Sequence, residues 1–190
     1  MNSKGTGLTL ALGIVIGFIG YILWQITIGP NTKSDDITTI LTNSGDGSAM
    51  IKVASILIAV GLVVHVAGLI NTRGTAAGNM ESIGIISITA AIAIWVTNVG
   101  VSLSIAEMGE KFVAAMAGAA AGNAEAAASA GNIGTAAGFS QAYNVATSTM
   151  GGLLAGIGWL CLGIAYRGSD AKGVISFIPL GFLAIIIGLI

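Results

Sequence analysis

The stretch AMIKVASILIAVGLVVHVAGLI, residues 49–70, decides the solvent in which this chain folds. Past Lys52 it holds one ionisable residue, His65. A hydrocarbon core of about 30 Å needs about 20 apolar residues in a helix rising 1.5 Å per residue. Four more stretches read the same way: residues 7–28, 82–105, 150–166 and 174–190. With lengths of roughly 17–24 residues, each can cross a bilayer. The reading is an all-α polytopic membrane protein, a bundle of five transmembrane helices forming one integral membrane domain over residues 1–190.

Composition agrees. Of 190 residues, 55% are hydrophobic and 8% charged. Soluble domains carry about 25% charged residues. So few charges cannot cover a water-facing surface, so the lipid bilayer is the expected outer partner. A net charge of -1 gives nucleic acid no basic patch to bind. One cysteine, Cys161, leaves no internal disulfide to form. The first run is too long for a leader h-region and no small-residue cleavage site follows it, so it reads as a retained span.

The basic residues set a direction. Lys4, Arg73, Arg167 and Lys172 fall on one side of the spans, and Lys33, Lys52 and Lys111 on the other. Both arginines sit in short turns. The positive-inside tendency places the N-terminus and the short turns in the cytoplasm, and the C-terminus outside, in a multi-pass cell-membrane protein. Tyr21, Trp24 and Tyr166 read as interfacial anchors. Lys52 reads as a snorkelling side chain. Trp95 and Trp159 read as packing residues.

The first outer loop, residues 29–48, is polar, with one amphipathic turn at residues 36–41. The second outer segment, residues 106–149, is different: half of it is Ala or Gly. Gly118, Gly122, Ala126, Ala130, Gly134, Gly138, Ala142 and Ala146 put a small residue at every fourth place. That spacing gives a smooth helical face, and alanine favours helix. The expectation is an Ala/Gly-rich extramembrane helical hairpin between spans three and four, breaking between residues 131 and 134. A re-entrant insertion is the alternative. The turns at residues 73–78 and 167–173 echo each other as Arg-Gly-rich pieces. An internal duplication or a shared turn composition accounts for this.

Polar residues inside a bilayer are the default functional candidates. Here they are His65, Asn98 and Cys161. His65 and Cys161 lie at a similar depth, but two ligands do not make a metal site. His65 reads as a neutral side chain bonded to a neighbouring helix, and Asn98 as an inter-helix hydrogen-bond partner. No Asp or Glu occurs within a span, whereas ion-coupled carriers usually need a buried carboxylate. Gly13 with Gly17, Gly118 with Gly122, and Gly152 with Gly156 are the helix-packing candidates.

No catalytic, cofactor or metal set emerges from these residues. The first functional expectation is an accessory or structural subunit of a larger membrane assembly, with other membrane subunits or a homo-oligomer as partner. A small channel or carrier ranks second and a membrane-embedded enzyme subunit third. An enzyme would need paired acids or a histidine cluster.

Overall fold

A computed structural model describes residues 3–76, 78–167 and 180–189. These form α1 (Ser3–Ile28), α2 (Ile37–Asp46), α3 (Ser48–Ile70), α4 (Asn79–Ala120), α5 (Ala124–Tyr166) and α6 (Leu180–Leu189), with no strand among them. Four helices, α1, α3, α4 and α5, are long and apolar enough to cross a membrane. The sequence reading counts five. The difference lies at residues 174–190, of which only the ten residues of α6 are described. Ten residues reach about 15 Å, half a hydrocarbon core. The second copy of the Arg-Gly turn echo, from residue 168 on, lies outside the described residues.

The helix ends follow from local chemistry. Gly29, at φ 98°, ends α1, and Pro30 follows it. Only glycine enters that left-handed region without cost, and proline cannot continue a helix. The last carbonyl of α1, on Ile28, accepts from Thr32 Oγ1 at 2.8 Å and Asn43 Nδ2 at 2.7 Å. Asp36 caps α2 by accepting from Thr39 N at 3.1 Å and Thr39 Oγ1 at 2.8 Å. The polar loop of the sequence reading therefore contains a full helix, with Leu41 completely buried.

The break in the Ala/Gly segment lies at residues 121–123, not between 131 and 134. Asn123 N donates to Gly118 O at 3.1 Å and Gly122 N to Ala119 O at 2.9 Å. With Gly122 at φ 87°, this is a Schellman stop. Asn123 Oδ1 then caps α5 by accepting from Glu125 N and Ala126 N. Gly131 and Gly134 lack such a partner set and stay inside the helix.

The chain groups into two compact units. The first comprises Met1–Ile14, Leu62–Trp95 and Ser148–Ile190. In it, glycines let backbones touch. A Cβ on Gly84 would stand 2.8 Å from Gly158 O, and one on Gly158 would stand 2.9 Å from Gly84 O. A Cβ on Gly68 would meet Leu10 N at 2.7 Å, and one on Gly188 would meet Gly156 O at 2.7 Å. Trp95 lies over Gly151.

The second unit comprises Val15–Gly61 and Val96–Thr147. Its core includes Ile28, Ile40, Leu41, Ile51, Ile105, Phe112, Ala130 and Ala137. Gly45 and Gly109 make its closest crossing. A Cβ on Gly109 would stand 2.5 Å from Leu41 O, and one on Gly45 2.5 Å from Gly109 O. The packed face of α5 uses Ala130, Ile133, Ala137 and Gln141. Within α5 the strict period-four row drifts off it, leaving Ala142 and Ala146 exposed. A helix turns every 3.6 residues, so a row spaced by four cannot follow one straight contact.

At 42 residues, α4 is about 63 Å long, twice a hydrocarbon core. Within the second unit, Asn98 meets Asn144 and Thr147, while Gly118 meets Ala126. The antiparallel register therefore sets residues 139–147 beside residues 97–105. That part of the Ala/Gly segment runs alongside the third apolar run rather than beyond it. Its polar residues hid this from a hydropathy reading.

Candidate functional site

Two features of the second unit are candidates, a polar cleft and an open groove. The cleft, of about 110 Å³, is walled by Trp24, Gln25 and Ile28 of α1, the loop residues Thr32, Lys33 and Ser34, and Ile40 and Ser44 of α2. Ser102 and Ile105 of α4 and Gln141 and Asn144 of α5 complete it. The Gly29–Pro30 stop turns the chain so that Lys33 and Ser34 face the end of α1. The Asp36 cap starts α2 so that Ile40 and Ser44, four residues apart, share one face.

Ser44 is 2% exposed and Gln141 9%. Gln141 Oε1 accepts a long hydrogen bond from Asn144 Nδ2 at 3.5 Å. Among the described residues, neither the Ser44 hydroxyl nor Gln141 Nε2 donates a hydrogen bond. Buried polar groups usually have partners, so such unused capacity in a cavity wall marks a place for a polar guest or water.

The groove, of about 500 Å³, runs between α4 and α5 and is lined by Thr97, Gly100, Val101 and Ser104 on one side and Phe139, Ser140 and Tyr143 on the other. Among the described residues, a Cβ on Gly100 would meet nothing within 4 Å. Phe139 is 76% exposed at the rim.

Of the sequence candidates, Asn98 belongs to the second unit and His65 and Cys161 to the first. Asn98 joins α4 to α5: Thr147 Oγ1 donates to Asn98 Oδ1 at 2.7 Å. His65 Nδ1 lies 3.3 Å from the Leu10 carbonyl, and its ring lies 6.4 Å from that of Trp159. That carbonyl can accept only from a protonated Nδ1, so the contact favours that tautomer. Cys161 is half-buried and unbridged. Gly13 is buried. A Cβ on Gly17 would make ordinary contact with Gly61, and one on Gly118 would meet Ala126 Cβ at 2.9 Å, beside the Schellman turn. Among the described residues, a Cβ on Gly122 or Gly152 would meet nothing within 4 Å, and Gly156 faces Gly188. Among the described residues, no three His, Cys, Asp or Glu side chains are placed to share a metal ion.

Three carboxylates outside the apolar runs, two of them missed by the sequence reading, hold local structure. Glu81, 3% exposed, accepts from Gly74 N at 2.6 Å, Thr75 N at 3.0 Å, Ala76 N at 2.9 Å and Tyr166 Oη at 2.8 Å. Burial pushes its pKa up, but the Tyr166 hydroxyl and the three backbone donors outweigh burial and hold it below the ordinary value. Glu110 accepts from the Ser48 hydroxyl and, at 3.2 Å, from Lys52 Nζ. Those two contacts, Ser48 first, hold its pKa down. Lys52 thus pairs with a helix neighbour rather than only reaching for water. The Thr39 hydroxyl and then its N–H lower the pKa of Asp36. A Glu shortly after a Gly-rich turn was the available signal for Glu81. Nothing local could pair Glu110 with Ser48, 62 residues away.

Compared with protein-family models, curated proteins and solved structures, the chain matches none.

Proposed function

We propose that the chain is a non-catalytic, multi-span membrane protein that serves as an accessory or structural subunit of a larger membrane assembly. The observation that carries this reading is the α4–α5 groove. Small residues on α4 let another helix approach closely, and such faces drive helix association in lipid. Phe139 and Tyr143 add large, rigid contact area at the rim. The occupant is a helix of another subunit or of a second copy. Five crossings complete the reading, with the N-terminus in the cytoplasm, the C-terminus outside and the α4–α5 turn in the outer aqueous phase.

A second reading, a small channel or carrier, draws on the polar band of Asn98, Gln141, Asn144 and Thr147. Asn98 and Thr147 bind each other, which leaves little of that band to line a path.

Purification from native membranes in a mild detergent tests the proposal. A defined complex, larger than one chain, is expected. A lone chain that moves a solute in vesicles would favour the second reading.

A further inference from the structure

We propose that the polar cleft of the second unit binds a phosphate-type oxyanion, carried by a membrane phospholipid or free in solution. The inference stands apart from the groove and rests on the cleft alone. Its lining includes Lys33, Ser44 and Gln141, whose side chains carry an ammonium, a hydroxyl and an amide as donors. Among the described residues, no carboxylate lines it. Asp35 and Asp36 follow Ser34 in the chain; Asp36 accepts two hydrogen bonds from Thr39 at the helix cap and also feels the Lys33 charge, so a guest shares that cation with it. Charge-assisted hydrogen bonds to an oxyanion are about twice as strong as neutral ones. Ser44 and Gln141 are nine-tenths buried or more, with donors unspent among the described residues. A guest with several acceptor oxygens uses them all.

Size and charge narrow the guest. Drug-sized ligands occupy pockets of about 300–1,000 Å³. A cleft of about 110 Å³ holds one compact group. A phosphodiester carries one negative charge, and Lys33 supplies one positive charge. Position favours a lipid source. Trp24, in the cleft wall, stacks with Tyr21 at 6.4 Å near the end of α1, where the apolar run meets the polar loop. Aromatic residues at such places sit at headgroup depth.

Titration of the purified chain, in a maltoside detergent, tests this through tryptophan fluorescence, with Trp24→Phe identifying the signal from the cleft. Three titrants separate the sources: dihexanoylphosphatidylglycerol, inorganic phosphate, and dihexanoylglycerol, which has the chains without the phosphate. A saturable Trp24 signal with the phosphatidylglycerol is expected, weakened about tenfold by Lys33→Gln and by Gln141→Leu. Lys33 is exposed in a loop, so its variant keeps the fold if Gln141→Leu does not. Competition by inorganic phosphate at similar concentration identifies a free-ion site, and its failure to compete identifies a lipid site. Both outcomes support oxyanion recognition. An equal response to dihexanoylglycerol, no saturable signal with either phosphate-bearing titrant, or a Lys33→Gln titration that matches wild type overturns it.

Discussion

Thr147 on α5 donates a hydrogen bond of 2.7 Å to the side-chain oxygen of Asn98 on α4. It ties two long antiparallel helices at a polar level where apolar packing alone would leave their register loose. The same hydroxyl also lies 2.8 Å from Tyr143 O, so it has an alternative acceptor if Asn98 is lost. Inter-helix hydrogen bonds in membrane proteins contribute about 0.6 kcal/mol on average, with a maximum of about 1.7. A double-mutant cycle of Asn98→Ala and Thr147→Val should give a coupling in that range, read from unfolding in mixed micelles. A coupling of zero would show that the pair does not set the register.

Gly109 and Gly45 should not tolerate even alanine. Each added Cβ would stand 2.5 Å from a backbone oxygen, which cannot rotate away as a side chain can. Overpacking of this kind costs about 1–3 kcal/mol. Gly100→Ala should instead be neutral or slightly stabilising, because its Cβ meets open space and alanine favours helix by about 1 kcal/mol. Thermal unfolding of the three variants in one detergent checks the order.

Ser55 gives a contrast. It is 1% exposed, and among the described residues its hydroxyl has no partner. Leaving such a group buried costs about 1–3 kcal/mol. Ser55→Ala should therefore match or exceed wild-type stability. A marked loss would reveal a partner for that hydroxyl.

Glu81 makes the turn before α4 sensitive to acid. Its folded pKa lies below the ordinary value of 4.5, so the carboxylate stabilises the turn at neutral pH. That contribution is fully present above the unfolded pKa and is lost as pH falls through the folded value. Amide exchange at Gly74, Thr75 and Ala76, corrected for intrinsic rates, should accelerate as pH drops below 4.5. Glu81→Gln should exchange fast already at neutral pH and lose the pH step.

Much of the architecture was legible from residue type alone. Long apolar runs without acids read as helices able to cross a bilayer, so α1, α3 and the apolar parts of α4 and α5 were readable. The Gly29–Pro30 stop was readable as well. What escaped depends on pairing. The break at Gly122 was written as Gly-Asn-x-Glu, a stop followed by a cap, but it sat among many glycines that had no such neighbour. The Gly45–Gly109 crossing and the Ser48–Glu110 bond join residues far apart in sequence. The cleft gathers Trp24, Lys33, Ser44 and Gln141 from four segments, each ordinary by itself. His65, Asn98 and Cys161 stood out because they are polar or reactive in apolar runs.

The assembly reading is tested most directly by a photo-crosslinking residue at Ser104, in the groove, in intact native membranes. A discrete crosslink to another membrane chain or to a second copy is expected, lost when Gly100→Leu fills the groove. Crosslinks to lipid alone, unchanged by Gly100→Leu, would contradict that reading.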